Sequence, residues 1–139
     1  MERIKPFFIV LFIFFITMLP VKSEDLMNLS TLITPQNIRY EACTKVFAID
    51  NVSLFYLTIA SINANRFKID EIQSKSGYII FTVVNRKFLA SVSNVNTKQS
   101  MLKITPVDNN YYFQPGILSN IFAYIDINLN GKIININLN

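Results

Sequence analysis

The chain has 139 residues, about half of them hydrophobic, with 13 basic and 9 acidic side chains, one cysteine and no histidine. The absence of histidine excludes His-dependent triads, Cys-His dyads and His-containing metal sites. Setting aside the first 23 residues removes Arg3, Lys5, Lys22 and Glu2 and lowers the net charge from +4 to +2, too weak a field to indicate nucleic acid or an anionic membrane.

The abundance of Ile, Asn, Lys, Phe and Tyr and the scarcity of Gly and Ala are what AT-rich codon usage produces, so the many asparagines carry little functional weight. Residues 1–23 begin with Arg3 and Lys5, continue through an apolar run from Phe7 to Leu19, and end in Pro20-Val21-Lys22-Ser23. This is the layout of a secretory signal peptide. As a helix the run rises roughly 20 Å, short of a ~30 Å hydrocarbon core, so cleavage before Glu24 is expected rather than permanent anchoring. The remaining 116 residues suffice for one domain, expected over 49–139 after a lead-in segment at 24–48.

In the lead-in, Asp25 to Leu29 can form a short helical turn. Thr34-Pro35-Gln36-Asn37 has turn chemistry, because Pro35 pushes Thr34 away from the α region. Ile38, Tyr40, Ala42 and Val46 suit either an extended segment or a helix start.

Asp50 to Asn65 predicts a helix, capped by Asp50 or Asn51 and ended by a left-handed residue in Asn63-Ala64-Asn65. Val52, Phe55, Ile59 and Ile62 fall on one face, and Leu54, Tyr56 and Leu57 widen it. A helix apolar around so much of its girth either lies buried on more than one side or presents a patch to another chain.

Four strands follow: Phe67 to Asp70, Tyr78 to Val84, Phe88 to Val92 and Met101 to Thr105. Turns are expected at Ser74-Lys75-Ser76-Gly77, Asn85-Arg86-Lys87 and Asn94 to Gln99, with Gly77 needing positive φ. Links this short make neighbouring strands antiparallel. A second helix is expected over Ile117 to Asn128, closed at Asn130-Gly131, and Ile133 to Leu138 alternates like a fifth edge strand or a frayed tail. The predicted fold is α+β: a four-stranded antiparallel meander on two helices, in the order α-β-β-β-β-α, behind an N-terminal signal helix. Over Asp50 to Asn128 this layout resembles the helix-grip domains of outer-membrane assembly lipoproteins, although no lipid-attachment cysteine follows the apolar run.

Little in the sequence carries chemistry. Cys43 has only Glu41 and Lys45 as near charges and reads as a small buried hydrophobe. Asp70-Glu71 is the one adjacent carboxylate pair in the expected domain at 49–139; on a regular strand the two point to opposite faces and converge only through a bulge. Arg86-Lys87 reads as a solvated hairpin tip, with a phosphate or lipid-headgroup contact as the functional alternative. Tyr111, Tyr112 and Phe113 either line a groove for a ligand or partner or plug the second helix onto the sheet. Asn28-Leu29-Ser30 and Asn51-Val52-Ser53 match the N-glycosylation pattern, a cheap match in so Asn-rich a chain.

The expected function is that of a small exported non-enzymatic protein of the periplasm or cell envelope, or an extracellular one. It would bind or assemble with another envelope protein or with itself. Tyr111, Tyr112, Phe113, Phe55 and Tyr78 are its candidate surface, and no catalytic, cofactor or metal residues are expected. Membrane contact is expected only through an uncleaved N-terminal segment. The alternative is a small-molecule or lipid carrier with an apolar pocket between sheet and helices, lined by Phe55, Ile59, Tyr78, Ile80 and Phe122.

Overall fold

The structure is a computed structural model that describes residues 31–136, with side chains to residue 129. The chain divides into two compact units, residues 1–34 and 35–139. Of the first unit residues 31–34 are described, with helical backbone through 33; the signal helix and the turn at Asp25 to Leu29 lie outside the described residues.

The second unit runs β1 (Gln36–Asn37), a 3-10 turn (Tyr40–Cys43), β2 (Thr44–Phe47), α1 (Asn51–Ala64), β3 (Lys68–Gln73), β4 (Tyr78–Val83), β5 (Arg86–Asn96), β6 (Gln99–Pro106), β7 (Tyr112–Phe113) and α2 (Gly116–Ile136). The predicted α+β fold is present. Strands β3 to β6 form the antiparallel meander, and β2 adds a fifth strand beside β6, so the sheet order is β2-β6-β5-β4-β3. That fifth strand comes from the lead-in. Residues 133–136, the start of the alternating C-terminal stretch, are helical instead, and α2 continues past Asn130-Gly131 rather than stopping there.

Asp50 caps α1 by accepting the Ser53 N–H at 2.9 Å, which satisfies one of the free donors of the first turn. The helix ends in a Schellman arrangement, with Phe67 N–H bonded to Ile62 O and Arg66 N–H to Asn63 O. Arg66, at φ 60°, takes the left-handed position expected of an asparagine. Asn65 is the C-cap, and its side-chain amide donates to Ser61 O at 2.9 Å.

The buried stripe of α1 is Leu54, Phe55, Thr58, Ser61 and Ile62, while Val52 is exposed. The face is therefore rotated from the purely apolar one read in the sequence. Two hydroxyls explain the rotation. Thr58 donates to Leu54 O at 2.7 Å and Ser61 to Ile121 O on α2 at 3.1 Å, so both small polar groups are buried with their bonds made and the two helices pack closely.

The sheet has two unlike faces. Ile79, Phe81, Phe88, Ala90, Leu102 and Ile104 join Phe47, Leu54, Ile62, Ile121 and Ile125 in one core. Their strand neighbours Tyr78, Ile80, Leu89, Met101 and Lys103 alternate onto the opposite, partly open face. Along the core face a file of rings runs from Phe67 to Phe81 (6.1 Å), Phe88 (5.7 Å) and Phe113 (5.2 Å). Short β7 pairs with β1, which seats the 111–113 loop.

Turn chemistry shows one agreement and one correction. Gly77 has φ +71°, as its position predicts. The β4–β5 hairpin turns through Val84-Asn85, not Asn85-Arg86-Lys87: Val83 pairs with Arg86 and both loop residues have positive φ, the pattern of a type I′ turn.

Candidate functional site

The first turns of α1 and the β3–β4 turn enclose a cleft of about 280 Å³. Phe55 lies at its edge, only 5% exposed, with its ring 5.8 Å from that of Tyr56. Val52 and Tyr56 flank it, about 60% exposed each (59% and 62%). Opposite them, Gly77 and Val92 form the far wall, with Ser74, Lys75 and Ser76 at the rim. A cleft of this kind can receive one large apolar side chain, with hydroxyls and one ammonium beside it. Because Asp50 already caps the helix start, an incoming anion would meet a carboxylate there.

The candidate residues do not converge. Phe113 is buried on Phe88, Tyr111 meets Tyr40 edge-on at 6.2 Å, and Tyr112 is exposed. Tyr78 stands on the open sheet face, where its hydroxyl donates to Glu71 Oε1 at 3.0 Å; among the five, Phe55 lines the cleft. The pocket imagined between sheet and helices cannot have its predicted lining, because Phe55, Ile59 and Phe122 belong to the core side while Tyr78 and Ile80 alternate away from it.

The sheet does contain the bulge that the carboxylate pair required. Register shifts between Ile69 and Glu71, so Asp70 and Glu71 both reach the open face. Thr82 Oγ1 donates to Asp70 Oδ2 at 2.5 Å, and Glu71 Oε1 accepts from Tyr78 and, at 3.1 Å, from Gln73 Nε2. The bond to Glu71, together with burial and the carboxylate charge, pushes the Tyr78 phenol up from its ordinary range. The hydroxyl of Thr82, the amide of Gln73, the phenol of Tyr78 and the ammonium of Lys68 thus tie the two carboxylates into a cross-strand network.

Arg86 organises the loop that follows β6. Its guanidinium donates to Tyr112 O and Asn110 O at 2.7 Å, pairs with Asp108 at 3.0 Å, and lies over the rings of Phe88 and Phe113 at 5.7 and 5.8 Å. Nothing in the spacing of Arg86-Lys87 signals this, since every hydrogen-bond partner lies more than twenty residues away. The Asn110 N–H, ahead of the Arg86 contacts, holds the Asp108 carboxyl below its usual range.

Lys45 on β2 pairs with Asp126 on α2, fastening the edge strand to the helix. Cys43 is fully buried, and burial, then the Glu41 charge, pushes its thiol up, which disfavours the reactive thiolate. Among the described residues no group of three His, Cys, Asp or Glu side chains could hold a metal ion, and no helix is long and apolar enough to cross a membrane. No protein-family model matches the chain, and no curated protein matches its sequence significantly.

Proposed function

We propose that this is a small exported, non-enzymatic protein that works by binding another envelope protein or a second copy of itself through the Val52–Tyr56 face of α1. The observation that carries the reading is the cleft beside those two exposed side chains. It is an anchor pocket without a reactive group. Two further features support it. The sheet edges are guarded, β3 by its bulge and by Lys68, Asp70 and Glu71, and β2 by its length of four residues, so side-chain docking is favoured over strand addition. Burying Val52 and Tyr56 would each stabilise a complex by about 1–2 kcal/mol before association costs.

Export rests on the basic, apolar and small-residue layout of residues 1–23. Cell fractionation with intact-mass measurement is expected to find the chain outside the cytoplasm, lacking those residues. For the binding face, a photo-crosslinking residue placed at Tyr56 is expected to form a discrete protein adduct in producing cells, to a sharp mass, and Val52→Ser is expected to weaken it. The same residue at Tyr112 is the control. Equal adducts from both positions, or none from Tyr56, would reject this surface.

A further inference from the structure

The start of β3, the end of β4, the start of β5 and the end of β6 meet at one end of the meander. All four non-glycine residues with positive φ among the described residues belong to this end: Arg66 before β3, Val84 and Asn85 between β4 and β5, and Asn109 after β6. Val84 is the most costly of them. A β-branched side chain at φ 45° crowds its own backbone, where Asn or Gly would turn the same hairpin without strain. The side chain gains no burial in return, because it is 82% exposed. Backbone strain of this kind clusters at functional sites.

Val84 has company. Val107 is 54% exposed and its N–H bonds to Lys87 O at 3.0 Å, and Asn85, Lys87 and Val107 share one recess of about 350 Å³. Lys68, Thr82 and Lys87 form one row across three strands just behind the tip. Arg66 precedes that row by two residues on the β3 side and is exposed. The facing carboxylates are Asp70, which is bonded to Thr82 and lies 3.8 Å from Lys68, and Asp108, which is held by Arg86. Four cations, Arg66, Lys68, Arg86 and Lys87, therefore meet two carboxylates, which leaves an excess of two positive charges at this end.

We propose that this sheet end is a second interaction surface, separate from the α1 cleft, which docks on an anionic lipid surface. Val84 and Val107 enter the headgroup boundary, and Lys68, Lys87 and Arg66 lie against the phosphates. The chemistry favours lipid over protein. The tip projects small aliphatic side chains rather than the aromatic anchors typical of protein hot spots. It surrounds them with lysines, which are depleted at protein interfaces but attracted to acidic headgroups while their stems lie on apolar surface.

The test uses the full chain, because any affinity of its apolar N-terminal run for vesicles is common to all variants and the readout is the depth of the tip. An environment-sensitive fluorophore is attached through Val84→Cys, Val107→Cys or, as the reference, Tyr56→Cys, the native Cys43 being buried. Vesicles contain either phosphatidylcholine alone or an equal mixture with phosphatidylglycerol, each with brominated acyl chains as quencher. Quenching is expected for the probes at 84 and 107 in the anionic vesicles and not at 56. Lys68→Gln with Lys87→Gln is expected to lower the quenched fraction roughly threefold or more. Each labelled chain is first checked for a native circular dichroism spectrum, and position 107 carries the test should the Val84 variant not fold. Unquenched probes at both tip positions, equal quenching at 56, or equal quenching without anionic lipid would overturn the proposal. Shielding of position 84 that required an added protein would assign the tip to a protein interface instead.

Discussion

Replacing Gly77 by alanine tests the geometry of the β3–β4 turn and the wall of the cleft together. Gly77 has φ +71°, and a Cβ placed there would lie 2.8 Å from the backbone oxygen of Val92. The left-handed conformation costs a non-glycine residue about 1–2 kcal/mol. The clash cannot be relieved by a side-chain rotation, because its target is backbone. Moving that backbone strains the Val92 N–H bond to Gly77 O, now 2.8 Å, at a cost of about 1 kcal/mol. Alanine returns about 0.5–1 kcal/mol by restricting the unfolded chain. The balance is a loss of about 2 kcal/mol, equivalent to a fall in Tm of roughly 8 °C or more for a domain of this size. Urea unfolding followed by circular dichroism should show a lower midpoint with unchanged slope. Gly77→Asn should keep the clash but recover part of the left-handed cost. A loss below about 0.5 kcal/mol for Gly77→Ala would mean that this turn does not have positive φ or does not sit on Val92, and the cleft would lose its far wall.

Val84→Asn should have the opposite sign, raising stability by about 1 kcal/mol in the same titration, because asparagine tolerates the type I′ position that valine strains; a lower midpoint would refute the strained turn. Arg86→Lys keeps the charge but replaces the planar fork, whose two nitrogens span Tyr112 O, Asn110 O and Asp108, with a single ammonium nitrogen. It should cost about 2 kcal/mol and speed amide exchange in residues 107–113 before the rest of the domain, which a merely solvated Arg86 would not do. The Asp108 carboxyl is depressed in the folded chain by the Asn110 N–H and by Arg86. Its contribution is therefore present above the ordinary carboxylate pKa of about 3.9 and is lost as pH falls through the lower folded value. Acid titration of the unfolding midpoint should be less steep in Asp108→Asn below about pH 4; identical curves would show that Asp108 plays no part.

The layers were legible because local pattern carries them. The alternation from Tyr78 to Thr105 and the short links between its runs leave antiparallel strands as the one arrangement that pairs their backbone groups. Gly77 was legible for a similar reason: a lone glycine between strand patterns marks a turn that a side chain would strain. The fifth strand was not, because Thr44–Phe47 is four residues of mixed polarity whose strand character depends on pairing with Lys103 to Ser100. Nor was the rotation of α1, which depends on Ser61 finding Ile121 O sixty residues away. The five aromatic residues of the candidate surface lie apart in the fold. Phe55 belongs to the cleft, but aromatic residues clustered in sequence at 111–113 diverge in space because β7 alternates their side chains and pairs with β1.

By itself the amino-acid order determined what needs only near neighbours: periodicity, capping by Asp50, the glycine turn, and the absence of histidine from any chemistry. Tertiary structure alone decided which carboxylates share a face, that Arg86 gathers three loop groups, and that dispersed lysines and two valines meet at one sheet end. The division has a physical cause. Strand and helix periods are set by backbone sterics within a few residues, whereas a bulge, a long-range hydrogen bond or a charge cluster exists only once register has fixed which distant residues lie side by side.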